Sequence, residues 1–195
     1  TDEYLDAALG EDLPAAVRGR IYEATGGNPR LLAAAAEDLR GKEPSESTLP
    51  DENGILRQRM AGLSAQALQL ANVLALFEDK TPCRLLSEIT GYQTAQLYAL
   101  SVELEEHSLI GESLVDGESY LEFLHPHMRE ALYRAQSYFQ RQPLHLKIAE
   151  CLRENLREGD AGALARVAGH YRAGGDGLRA FHCEAEALYW RTERT

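Results

Sequence analysis

Apolar residues recur along most of the chain at helical spacing, and the period shifts to that of strands once, near residue 110. The segment TDEYLDAALG predicts a first helix closing on Gly10, a residue suited to a helix C-cap. LPAAVRGRIYEAT predicts a second, with Pro14 in its first turn and Leu13, Val17, Ile21 and Tyr22 at helical spacing. After a Gly-Gly-Asn-Pro corner, the alanine-rich PRLLAAAAEDLR predicts a third helix that opens on proline and stops at Gly41. Residues 41–54, GKEPSESTLPDENG, combine turn-forming and polar residues with no large apolar one except Leu49, so they mark a linker and a domain boundary.

The next region predicts three helices and then a hairpin. LSAQALQLANVLALF is a helix with Ser64 as N-cap. TPCRLLSEITG is a shorter one with Thr81 as cap, Pro82 at the first position and Gly91 as terminator. YQTAQLYALSVELEEHSLI is a third, with Leu97, Leu100, Leu104 and Leu109 on or near one face. In LIGESLVDGESYLEFL, Asp116-Gly117 is a two-residue turn signal, and Leu121 and Phe123 alternate with polar neighbours. That order is the order of a winged helix-turn-helix domain. From Pro126 the pattern is helical again, through HMREALYRAQ, QPLHLKIAECLRENL, AGALARVAGHYRAGG and DGLRAFHCEAEALYWRT. The last two predict an antiparallel pair around Gly174-Gly175, with Ala165, Ala168, Ala173, Ala180 and Ala187 suited to the close packing of a helical-repeat array. The fold class expected is mainly α.

Charge narrows the function. The 195 residues carry 31 acidic and 20 basic side chains, a formal net charge of -11. That balance disfavours the phosphate-neutralising surface on which nucleic-acid affinity rests, and an anionic membrane surface as well. The predicted recognition helix, Thr94 to His107, carries Glu103, Glu105 and Glu106 and no lysine or arginine. The hairpin adds Glu112, Asp116, Glu118 and Glu122. A helix so charged is repelled by the phosphates flanking a major groove.

Candidate chemistry is sparse. No phosphate loop of the GxxxxGK[ST] type, no GxGxxG, no HExxH and no GxSxG occurs. His125 and His127 form an H-x-H without a partner at metal-ligand spacing, so neither a metal site nor a catalytic constellation is expected. Cys83, Cys151 and Cys183 are widely spaced within apolar helical patterns and read as three buried thiols in a reducing compartment. With no signal peptide and no apolar run near 18 residues, a cytoplasmic chain is expected. The start at Thr1 suggests a piece of a longer protein.

The order of EATGGNPRLL, ILRQRMAGLSAQALQLANVLALF, LHPHMREALYRA, LHLKIAECL and GHYRAGGDGLRA resembles that of STAND-type P-loop ATPases. These signal-transduction ATPases include large LuxR-like bacterial regulators. The resemblance spans nearly the whole chain. It implies a helical lid over residues 1–44, a winged-helix domain over 55–126, and a helical linker with the start of TPR-like repeats over 127–195. In this family the lid carries a Gly-x-Pro corner whose proline packs against adenine, and the matching residues are Gly27, Asn28 and Pro29. Glycine permits close backbone approach, and proline offers a rigid apolar face without a donor. A histidine at the end of the wing reaches the phosphates in the closed ADP-bound state, and the matching residue is His125. The family pattern has an apolar residue two positions later, where this chain has His127. His170 and Tyr171 match the opening of the repeat region and read as packing residues.

The resemblance thus implies a regulatory fragment, with no catalysis of its own, that closes over ADP or ATP held with magnesium by an upstream nucleotide-binding domain. No nucleotide is expected to bind this fragment tightly by itself. Its partners would be that upstream domain and downstream helical repeats, and it would control switching to an active oligomer. The residues leave two other readings open: a protein-interaction scaffold built on an acidic winged helix, and a DNA-binding winged-helix regulator, which the charge opposes.

Overall fold

The computed structural model describes residues 2–9, 14–25, 29, 32, 33, 36, 60–157 and 159–192. Among these, nine helices and one small antiparallel sheet make a mainly α chain. Helices α1 (Asp2–Leu9) and α2 (Ala15–Thr25) come first. Pro14 stands just ahead of α2, where its carbonyl accepts from Val17 and Arg18 at 2.9 and 3.1 Å. Leu5, Val17 and Ile21 are buried, and an Arg18–Asp6 ion pair at 2.5 Å joins the two helices. Leu32 and Ala36 are helical and buried. The expected cap at Gly10, the stop at Gly41 and the linker over 41–54 lie outside the described residues.

A second unit follows in the order α3 (Ala65–Leu74), β1 (Thr81–Pro82), α4 (Cys83–Thr90), α5 (Thr94–Glu106), β2 (Ile110–Val115) and β3 (Glu118–Phe123). The sheet order is β1-β3-β2, all antiparallel, which with three helices is the winged-helix arrangement. Local chemistry explains most of its boundaries. Ser64 caps α3 by accepting from Ala67 N–H at 3.1 Å. Gly91 ends α4 in the left-handed region at φ 78°. Asp116 and Gly117 both take positive φ, 52° and 82°, the pattern of a type I′ hairpin turn. β2 and β3 then pair from Ile110 opposite Phe123 to Val115 opposite Glu118. Leu70, Leu74, Leu86, Leu97, Leu100, Leu104, Leu109 and Leu121 form the core.

Helices α6 (Pro126–Ala135) and α7 (Tyr138–Glu154) add Met128, Leu132 and Ile148 to the same core. The adjoining face of α7 contributes Ala149 to a second cluster with α8 (Ala161–Ala173) and α9 (Gly177–Thr192). That cluster holds Leu164, Val167, Ala168, Tyr171, Ala180, Cys183 and Ala187. α8 and α9 run antiparallel about Gly174-Gly175, as expected of a repeat-like helical hairpin. Helix α7 is therefore a shared wall between two cores.

Four expectations need correction. Thr81 does not cap α4: it pairs with Leu121 in the sheet, and Pro82 takes the N-cap position. Proline is tolerated there because β1 is an edge strand. Helix α7 starts at Tyr138, ahead of the expected segment, because Ser137 and Gln140 form a capping box; Pro143 lies inside the helix. Ala165 is exposed, so the close packing of α8 on α9 uses Ala168, Ala180 and Ala187 instead. Of the three free thiols, Cys183 alone is buried; Cys83 opens α4 and Cys151 lies on α7, both half-exposed. Partial burial, together with nearby carboxylates, raises the Cys83 and Cys151 thiol pKa values and keeps both protonated.

Candidate functional site

The wing delivers His125 to a defined place. Strand β3 ends at Phe123, Leu124 N–H donates to the Leu109 carbonyl at 3.1 Å, and the chain turns into α6. Pro126 opens that helix and restricts the residue before it to extended backbone, so His125 sits at the N-cap with φ -130° and ψ 114°. Its carbonyl accepts from Met128 and Arg129 at 3.0 and 3.3 Å, and its side chain makes no capping bond. The ring lies against that of His127, with centroids 5.4 Å apart and planes at 34°. Both imidazoles are half-buried. The H-x-H pair thus presents two imidazoles side by side at a helix N-terminus, where ring N–H donors and the helix dipole both favour an anionic oxygen. Beneath them Met128 is buried, and Arg129 fastens α6 to the end of α3 by donating to the Ala75 carbonyl at 3.4 Å.

Of the predicted adenine-side residues, Pro29 has helical backbone and is exposed. Gly27 and Asn28 lie outside the described residues. The proline offers an accessible apolar face, and the imidazole pair offers hydrogen-bond donors.

The third helix of the winged unit, α5, exposes Thr94, Ala95, Tyr98, Ala99, Glu105 and Glu106. Glu103 belongs elsewhere: its carboxylate accepts from Ser64 N–H at 2.5 Å and from Ser64 Oγ at 2.9 Å. It is a fastening between α5 and the start of α3, which corrects its reading as part of an acidic outer surface. The basic side chains near the wing come from the β1 end, with Arg84 3.8 Å from Glu118 and Lys80 over the Tyr120 ring. Tyr120's hydroxyl is pushed above its usual range by partial desolvation and the neighbouring Glu118, so it stays a neutral donor.

A different histidine cluster was not singled out by sequence reasoning. His145 and His170 face each other with Nδ1 atoms 3.0 Å apart, and His145 Nε2 lies 3.4 Å from the Tyr133 hydroxyl. His170 also packs on Phe77, as its reading as a packing residue requires. The one available signal was position: His145 sits one turn before the buried Ile148 and Ala149. Among the described residues no group of three or more His, Cys, Asp or Glu side chains is placed to hold a metal ion. The described hollow of about 590 Å³ is shallow and lined by Arg157, Asp160, Gly162, Trp190 and Arg191 with their neighbours, remote in sequence from Pro29 and His125. Among the described residues no helix is long and apolar enough to cross a membrane. Compared with known proteins, the chain matches no family model and no curated protein.

Proposed function

We propose that this chain is the nucleotide-responsive control segment of a STAND-type signalling ATPase. It closes over ADP bound by an upstream nucleotide-binding domain and holds the parent protein in its resting state. The observation that carries this reading is the junction of wing and α6, where a half-buried imidazole stands at the N-cap directly after the hairpin, before Pro126. Release of the winged helix from that position allows nucleotide exchange and exposes an oligomerisation surface. A differential contact of a few kcal/mol between the two states is enough to drive such a switch. His125 donates to a phosphate oxygen in the closed state, and Gly27, Asn28 and Pro29 border the base. Magnesium and the phosphate loop belong to the upstream domain.

The test uses the parent protein, extended upstream through its phosphate loop. A hydrogen bond to a charged group contributes about 1.5–3 kcal/mol, so His125→Ala is expected to speed ADP release by about ten- to a hundredfold. Unchanged ADP release removes His125 from the mechanism, and a parent without a phosphate loop removes the whole reading. One observation favours a second reading, an interaction scaffold. Tyr98 is 67% exposed on the outer face of α5, on the same helix as the exposed carboxylates Glu105 and Glu106. An aromatic anchor with acidic neighbours fits a basic protein partner.

A further inference from the structure

The pair formed by His145 and His170 lies where the two cores meet. His145 is on α7, His170 on α8, Tyr133 on α6, and Phe77 in the turn that follows α3. The rings of His170 and Phe77 are 5.6 Å apart, and those of His145 and His170 are 5.2 Å apart. This stack joins the α8–α9 hairpin to the winged-helix unit through side chains that carry protons. His145 is 5% exposed.

A distance of 3.0 Å between two Nδ1 atoms requires one proton between them. Two arrangements satisfy the chain. Tyr133 donates to His145 Nε2 and His145 Nδ1–H donates to His170, or His170 Nδ1–H donates to His145 and His145 Nε2–H donates to Tyr133. One added proton is accommodated in either, because a charged imidazole still donates to a neutral one. A second leaves both Nδ1 atoms protonated and facing, with two like charges in contact.

We propose that His145 and His170 form a proton-operated latch, which holds the α8–α9 hairpin against the winged-helix unit while at least one ring is neutral and releases it when both are charged.

The surroundings favour the closed state at neutral pH. Burial holds both imidazoles well below their ordinary value, to about 4, and the Arg141 guanidinium adds its positive field at His145. From α6 the pair faces Tyr133, whose ring also carries Arg141 at 4.2 Å. From the winged unit it faces the uncharged Phe77. Of the charged groups of α9, Arg179, Glu184 and Glu186 are engaged in ion pairs with Asp176 and Glu150, with Arg172, and with Arg153, and Arg191 lies in the last turn of the helix. The folded-state values lie below the unfolded value of about 6.5, so the opened state binds more protons. The latch is therefore fully closed above about pH 6.5 and is lost progressively as pH falls from there toward about 4.

The experiment is hydrogen exchange resolved by segment on the whole chain, at pH 7.5 and pH 5.5 and corrected for intrinsic rates. Protection of α8 is expected to fall by at least about tenfold, the linkage expected of one imidazole over one pH unit below its unfolded value. Protection of α3 and α5 is expected to hold. His170→Phe keeps a ring against Phe77 and removes one of the two imidazoles. It is expected to show a smaller pH dependence than the wild type, the remainder coming from His145, which burial and Arg141 still depress. Unchanged α8 protection in the wild type, or a pH dependence in His170→Phe as large as the wild type's, overturns the latch. Imidazole titration of the wild-type chain by NMR needs no variant: at least one ring titrating below about pH 5.5 supports the latch, and both rings titrating near 6.5 overturn it.

Discussion

Glu103 offers the sharpest test of how this winged unit is held together. Read along the chain it belongs to an acidic recognition helix; in the fold it reaches back to the start of α3. One carboxylate oxygen accepts from Ser64 N–H at 2.5 Å and the other from Ser64 Oγ at 2.9 Å. The same Oγ accepts from Ala67 N–H at 3.1 Å, so the carboxylate orients the hydroxyl that caps the helix. Glu103→Ala removes two charge-assisted bonds, each contributing about 1.5–3 kcal/mol when dry. Ser64 is exposed, so water replaces much of that, and a net loss of about 1–2 kcal/mol is expected. Ser64→Ala removes the cap and costs about 1 kcal/mol. It leaves the backbone N–H bond to Glu103 in place, so the double mutant is expected to show a coupling of about 0.5–1 kcal/mol. Urea denaturation followed by circular dichroism measures all three, and each 1 kcal/mol lowers Tm by about 2–4 °C at this chain length. Glu105→Ala, exposed on the same helix, serves as the control and is expected within about 0.5 kcal/mol of wild type. If Glu103→Ala matches that control and adds to Ser64→Ala without coupling, the carboxylate faces solvent and the fastening is wrong.

Packing and backbone tests follow from the same coordinates. Leu104 is fully buried in the winged-helix core, so Leu104→Ala is expected to cost about 2–5 kcal/mol by denaturant titration. Tyr98→Ala, on the exposed face of α5, is expected to leave stability within about 0.5 kcal/mol. In the α8–α9 turn, Gly175 has φ 80°, and a Cβ there would meet the Tyr138 hydroxyl at 2.9 Å. Gly175→Ala is therefore expected to lower thermal stability by more than about 1 kcal/mol. Gly177, with open space around it at the start of α9, is expected to accept alanine with a gain of about 0.4–1 kcal/mol.

Sequence alone was sufficient wherever a feature depends on residues a few positions apart. The Ser64 cap, the left-handed stop at Gly91, the Asp116-Gly117 turn and the leucine face of α5 are of this kind, and all stand where the pattern put them. Three helices and a hairpin in that order then made the winged helix legible before any coordinates. His125 was a candidate only through the family resemblance, whose pattern its place between the wing and Pro126 matches; its companionship with His127 follows from the short spacing between them. Tertiary structure decided everything that required distant segments to meet. Thr81 and Pro82 became a strand only because Leu121 and Tyr120 came alongside. Glu103 left the solvent-facing set because Ser64, far back in the chain, presented two donors to it. His145 and His170, each unremarkable on its own helix, acquired a shared proton only where α7 and α8 pack together. Helical periodicity tells which face of an element is buried, but not which distant group that face will meet. Here the proton-bearing groups of the interior are paired by packing alone.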